Sequence, residues 1–132
     1  MPRLKAAGNV SFIFDTGADT TVLMPAESAT LGVDYGELKN PFVSHGIGGP
    51  APNYIERAHI MFVSNDMTQI YGFNVQLLIH HPSPDAMRVP SLLGRDVIDR
   101  LRVTYDKSTN ELLATVVSCD ISVGPLTFND AK

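Results

Sequence analysis

The residue best placed to do chemistry is Asp15. It stands directly after the apolar run Phe12-Ile13-Phe14 and before Thr16-Gly17, and the chain turns apolar again at Val22-Leu23. A carboxylate rarely sits against such a run unless it is partnered or chemically needed. An apolar, water-poor pocket favours the neutral acid, and two carboxylates sharing one pocket hold a single proton between them. Such a pair can hydrolyse a peptide bond: the ionised acid takes a proton from water while the protonated one polarises the scissile carbonyl. Gly17 lets backbone come close to the acid, and Thr16 offers a hydroxyl to lock the loop. On the tripeptide alone, the commoner role of Asp after a strand, capping a loop, is the better reading.

The bulk numbers bound the alternatives. A chain of 132 residues suits one domain with a real core, over residues 1–132, and is too short for two ordinary ones. The apolar fraction of 44% and charged fraction of 18% are those of a globular protein. The net charge is -4 and no run of Lys or Arg exists to track a phosphate backbone, which argues against nucleic acid as a partner. The one cysteine, Cys119, rules out an internal disulfide and fits a reducing, cytoplasmic compartment, although an excised domain of a larger protein would look the same. Residues 1–10 lack the apolar core of a signal peptide, and no stretch approaches the roughly 20 apolar residues of a membrane span.

Short segments punctuated by Gly and Pro favour an all-β fold over a helical bundle. Leu4-Lys5-Ala6 suits a short strand. Val10–Phe14 reads as a strand with Val10, Phe12 and Phe14 on one face. Thr21-Val22-Leu23 is a second short run, and Pro25 to Leu31 a short helix closed by Gly32. Asp34 to Pro41 reads as loop. Phe42 to Pro50, with Gly46, Gly48 and Gly49 around Ile47, suits a hairpin tip. Tyr54-Ile55 and Ala58–Ser64 read as strand, Asn65-Asp66 as a turn, and Phe73–Ile79 as an apolar strand buried on both faces. His80 to Pro90, with three prolines, is expected to be loop. Ser91-Leu92-Leu93 starts as a strand and passes into a short helix carrying Val97, Ile98 and Leu101. Leu101 to Val117 forms a terminal hairpin, and Leu126-Thr127-Phe128 suits an edge or interface strand.

Three motifs change the weighing of Asp15. Phe14-Asp15-Thr16-Gly17-Ala18-Asp19-Thr20-Thr21-Val22-Leu23 closely resembles the catalytic loop of retropepsins, the retroviral-type aspartic proteases. His45-Gly46-Ile47-Gly48-Gly49 is similar to the tip of their glycine-rich flap. Leu92-Leu93-Gly94-Arg95-Asp96 resembles the family's motif of two apolar residues followed by Gly-Arg-Asn/Asp, which opens the helix behind the active site. The three occur in the family's order. The resemblance implies a small closed β-barrel with a flap hairpin and one short C-terminal helix. It implies a homodimeric aspartic endopeptidase acting on peptide or protein substrates, with no cofactor and no metal.

Residue by residue, the resemblance makes Asp15 the catalytic aspartate. Thr16 becomes the residue that hydrogen-bonds across the dimer, and Gly17 a backbone acceptor for substrate. Ala18 and Asp19 border the cleft, with Gly46, Ile47, Gly48 and Gly49 closing over it. Asp19 with Arg95, and Gly94 beside them, match the support of the active-site loop. Only one Asp-Thr-Gly and no Asp-Ser-Gly exists in the chain, so a dyad needs two chains on a two-fold axis. The chain departs from viral members in three ways. The segment before Asp15 is short, which puts the N-terminal dimer strand in doubt. The hairpin after Leu101 is extra, a feature that cellular and bacterial members often carry. His45, Pro50 and Pro52 alter the flap.

Other readings are weaker. The Asp-Thr-Gly loop also resembles the phosphate loop of actin-like sugar kinases, but that architecture needs two α/β domains. His80-His81 are adjacent, with no second pair to complete a metal site, and His45 and His59 have no ligand partner at a useful spacing. Cys119 reads as a small core or interface residue, not a nucleophile. Asp96, Asp99, Arg100 and Arg102 read as the solvated face of the short helix. The serious rival is a non-catalytic domain of the same fold, used for dimerisation or peptide binding.

Overall fold

The computed structural model describes residues 6–46 and 49–126. Its strands are β1 Phe12–Phe14, β2 Val22–Leu23, β3 Pro41–Gly46, β4 Gly49–Val63, β5 Ile70–His80, β6 Ser91–Leu93, β7 Leu101–Asp106, β8 Glu111–Val116 and β9 Ile121–Val123. Two short helices join them, α1 Pro25–Leu31 and α2 Arg95–Ile98. The fold is mostly β, with hydrogen-bonded order β1-β6-β2-β5-β4-β3, β9 added beside β5, and β7-β8 as a separate ribbon.

The expected closed barrel is not formed. β1 pairs only with β6 among the described residues, in parallel register Phe12↔Ser91 to Phe14↔Leu93. Among the described residues, β3 covers β4 only from Gly49 to Tyr54, and no other strand lies on the outer side of the second half of β4. Residues 6–10 lie along this gap without pairing and line a groove of about 640 Å³ with Phe12, Ile60 and Phe62. Closure needs a strand that hydrogen-bonds to both edges, and three residues of β1 cannot supply it.

The core lies under the middle of the sheet. Leu23, Phe73, Val75, Leu77, Ile79, Leu93 and Val97 are buried, with Phe12, Phe14 and Leu101 packed against them. Phe73 meets Phe62 edge-on at 5.9 Å between ring centroids. β5 is not buried on both faces as expected: Phe73, Val75, Leu77 and Ile79 point inward, while Asn74 and Gln76 between them are exposed. The described residues cover one face of this strand, so alternation returns despite the apolar run.

The first helix follows its sequence signals. Met24 is extended, Pro25 opens the helix, and Gly32 closes it at φ 74°. Ser28, wholly buried, joins its hydroxyl to Tyr35 and to the Pro25 carbonyl. Tyr54-Ile55 and Ala58 onward merge into the single long strand β4. The polar segment from Asp34 holds a 3₁₀ turn at Tyr35–Glu37 before Pro41 opens β3. The proline-rich stretch holds another at Ala86–Arg88. Strand β9 was not foreseen; it pairs Ile70↔Val123 and Gly72↔Ile121. The Leu126 strand lies mostly outside the described residues, as do Leu4 and Lys5.

The turn after β4 is locked by Asp66. Its Oδ1 accepts the Ser64 hydroxyl at 2.7 Å, the Thr68 hydroxyl at 2.7 Å and the Thr68 N–H at 3.1 Å. The Ser64 hydrogen bond first, then those from Thr68, lower its pKa from an ordinary 3.8 to about 2. The folded value lies below the unfolded one, so the stability it contributes is present above about 3.8 and is lost as pH falls through about 2. A carbon-detected NMR titration is expected to give Asp66 a midpoint near 2, and a midpoint near 3.8 would remove these bonds from the solution structure.

Candidate active site

Asp15 leaves β1 beside the end of β6, because the two strands run parallel and stop together. Its backbone N–H donates to the Leu93 carbonyl at 3.0 Å, which extends the ladder by one residue. The chain then reverses. Ala18 N–H donates to the Asp15 carbonyl at 3.1 Å, and Gly17 N–H donates to Asp15 Oδ1 at 2.9 Å. Asp15 is half-buried, whereas Thr16 and Gly17 are exposed at the turn. A β-carbon on Gly17 would meet only Asp15 Oδ1, at 3.2 Å. The carboxylate is thereby held by its own turn at the rim of the sheet.

The return limb is held by α2. Arg95 N–H donates to the Ala18 carbonyl at 2.8 Å and Asp96 N–H to the Asp19 carbonyl at 3.2 Å. Asp96 then reaches back with its side chain. It accepts Thr21 N–H at 3.1 Å on each oxygen and the Thr21 hydroxyl at 2.7 Å. The Thr21 oxygen in turn accepts Gly94 N–H at 3.0 Å, and Thr21 is fully buried. These bonds end on a charged acceptor, which makes them the strong kind. Arg95 and Asp19 form an ion pair across the same junction, with side chains 48% and 79% exposed. At that exposure the pair contributes roughly 0–1 kcal/mol.

Asp96 and Thr21 are the residues that sequence reasoning missed. Asp96 is not on a solvated helix face as expected: its position in the first turn of α2 aims it at Thr21. Arg100 also departs from that expectation, stacking over Phe73 at 5.3 Å and pairing with Asp120 at 2.7 Å. An acid in the first turn of a helix is a visible signal, but its partner is 75 positions away. Asp96→Ala is expected to cost about 2–4 kcal/mol, because the buried Thr21 donors lose their acceptor, whereas Asp19→Ala is expected to cost under about 1 kcal/mol. Urea unfolding of both variants checks this, and the reverse order would contradict the assignment of the brace.

The glycine-rich segment forms a hairpin, β3 against β4, in register Pro41↔Tyr54 to Gly46↔Gly49. The tip residues Ile47 and Gly48 lie outside the described residues. The root of the hairpin is anchored. His81 N–H donates to the Pro52 carbonyl at 3.1 Å, and Tyr54 OH lies 3.2 Å from His81 Nδ1. Tyr35 packs on both rings at about 6 Å between centroids.

Neither the groove beside β1 nor a second cavity of about 490 Å³ at Arg57, His59 and Asn74 is lined by Asp15, Thr16 or Gly17. Among the described residues, no group of three or more His, Cys, Asp or Glu side chains is placed to hold a metal ion. None of the helices among them is long and apolar enough to cross a membrane. Cys119 is half-buried against the core.

A family model described as aspartyl protease matches residues 6–97, well over half of the chain. The match runs from before β1 through α2 and so takes in the Asp15 turn, the hairpin and the Gly94-Arg95-Asp96 brace. The chain therefore belongs to the aspartyl protease family, as a retropepsin-like member. Neither the curated proteins nor the solved structures searched contained a match.

Proposed function

We propose that this chain is an aspartic endopeptidase whose catalytic dyad forms from Asp15 of two copies, the whole of residues 1–132 acting as one domain. The observation that supports it best is the Asp15-Thr16-Gly17 turn. It presents one carboxylate at the end of β1, with an exposed Thr16 and Gly17, in a chain of protease family. One acid cannot be both proton acceptor and proton donor in the same step. A two-fold axis at the turn supplies the second. The pair then holds one proton, and water attacks the scissile carbonyl as the ionised Asp15 takes its proton. Thr16 ties the two turns together, and the Gly17 carbonyl, Ala18 and Asp19 line the cleft floor.

The β3–β4 hairpin acts as the flap. Its backbone from Gly46 through Ile47 and Gly48 to Gly49 covers an extended substrate and excludes water, which strengthens the electrostatics beneath it. Arg95, Asp19 and Gly94 support the turn from behind, and the reaction needs no cofactor or metal. Incubating the purified chain with an unbiased peptide mixture at mildly acidic pH is expected to give internal cleavages that a statine-type transition-state mimic blocks. A confirmed dimer that cleaves nothing between acid and neutral pH would leave the same fold as a peptide-binding or dimerisation module.

A further inference from the structure

Glu56 is a carboxylate buried in an apolar core. It is 2% exposed, and no step at Asp15 uses it. Directly paired residues share a sheet face, so its partner Leu77 sets it on the inner side of β4, between Tyr54 and Ala58. A carboxylate at such a place costs free energy unless it is partnered. Among the described residues its side chain accepts one hydrogen bond, from Lys39 N–H at 3.3 Å. The β3–β4 register runs down to Pro41↔Tyr54, and Ile55 N–H then donates to the Asn40 carbonyl at 2.9 Å. Lys39 therefore comes opposite Glu56, just before β3 begins. The carboxylate takes the place of a backbone acceptor where the first limb of the hairpin joins the sheet.

The two limbs of the hairpin are seated differently. The second is clamped by His81, through the Pro52 carbonyl and the Tyr54 hydroxyl, and Tyr35 packs on both rings while its own hydroxyl donates to the His80 carbonyl at 3.2 Å. The first enters through a joint that is not fully satisfied. The Asn40 side-chain nitrogen is buried there with no acceptor among the described residues. An unmet buried donor weakens such a joint, and the bond from Lys39 to Glu56 offsets that weakness. Pro41, next along, has no N–H to add another.

We propose that Glu56 is a positioning residue of the endopeptidase: its buried carboxylate fastens the first limb of the hairpin to β4 and so sets how the hairpin closes over a bound peptide. This rests on the reading of the hairpin as a flap and names the side chain that holds its root. Glu56 acts through the backbone of Lys39 and touches neither the substrate nor Asp15.

The test compares Glu56→Leu with Glu56→Gln by amide hydrogen exchange and by peptidase kinetics. Leucine suits the apolar site beside Leu77 and removes the acceptor, while glutamine keeps an oxygen at the same reach. Lys39 is exposed, so its freed N–H turns to water and the limb loosens while the core stays packed. In Glu56→Leu, exchange at Lys39 and from Phe42 to Gly46 is expected to speed up by about tenfold, with the amides of β5 unchanged. KM for a cleaved peptide is expected to rise about tenfold and kcat to change by less than about twofold, the pattern of lost binding and not of lost chemistry. Glu56→Gln is expected to stay within about twofold of the wild-type chain on both readouts. A role in packing alone predicts that Glu56→Leu leaves exchange in the hairpin and KM unmoved, and that result would overturn the proposal while leaving the endopeptidase standing. Faster exchange in a chain that cleaves no peptide would uphold the joint and count against the catalytic reading. Should Glu56→Leu not fold, Glu56→Met takes its place, and a wild-type Lys39 amide that exchanges as fast as an unstructured one would overturn the proposal without any variant.

Discussion

Asp15→Asn is expected to abolish peptide hydrolysis while leaving a folded protein of unchanged mass. The amide is nearly isosteric with the carboxylate and its oxygen can still accept the Gly17 N–H. The turn, the Asp15 N–H to Leu93 bond and the β1–β6 ladder therefore persist. What is lost is the proton chemistry. An amide neither takes a proton from water nor delivers one to the departing amine, and in a two-fold dimer both halves of the pair are altered at once. Loss of general acid–base catalysis predicts a fall of about 10³–10⁴-fold or more. The measurement is cleavage of a peptide mixture by mass spectrometry, with circular dichroism and light scattering to confirm fold and assembly. A variant retaining a tenth of the activity would place the chemistry elsewhere in the chain.

Gly94→Ala is expected to be strongly destabilising for a change of a single methyl group. The reason is space and not backbone conformation, since Gly94 is extended at φ -95° and ψ -178°. An added β-carbon would lie 2.4 Å from the Thr20 carbonyl carbon, 2.6 Å from its oxygen and 2.8 Å from Thr21 N. All three are backbone atoms, and the segment that carries them is pinned by Asp96 and by the Gly94 N–H bond to Thr21. The clash cannot be relieved by turning a side chain. Overpacking of this kind costs about 3 kcal/mol or more, on the order of 10 °C in Tm for a chain of this size. Gly17→Ala makes the useful contrast, because its nearest neighbour is the Asp15 carboxylate at 3.2 Å. Thermal unfolding of the two variants is expected to separate them clearly, with Gly94→Ala far lower. Equal melting temperatures would mean that the turn and α2 are not in contact as described.

These expectations show where the site was open to reading in advance. The acid after Phe12-Ile13-Phe14, the glycine hairpin and Gly94-Arg95-Asp96 are local patterns, each set by a few neighbouring residues. Local patterns survive without knowledge of the fold, and so did helix α1, whose Pro25 and Gly32 mark its ends. The support of the turn was less legible. Arg95 and Asp19 matched a familiar pair, yet the stronger contacts run from Asp96 to Thr21, which no spacing rule connects.

By itself, the sequence determined the class of the protein, a β-rich chain carrying one Asp-Thr-Gly turn, and with it the need for a second copy if that turn is to form a dyad. Tertiary structure alone decided the rest. Whether the barrel closes depends on which strand edges meet, and β1 with the outer half of β4 do not. Which face of β5 is buried depends on what packs against the strand, and the described residues cover only one. Whether Asp96 faces water or Thr21 depends on where α2 docks. In each case the physical reason is the same: burial and hydrogen-bond partnership are properties of residues brought together from distant positions, and a linear pattern records only the neighbours along the chain.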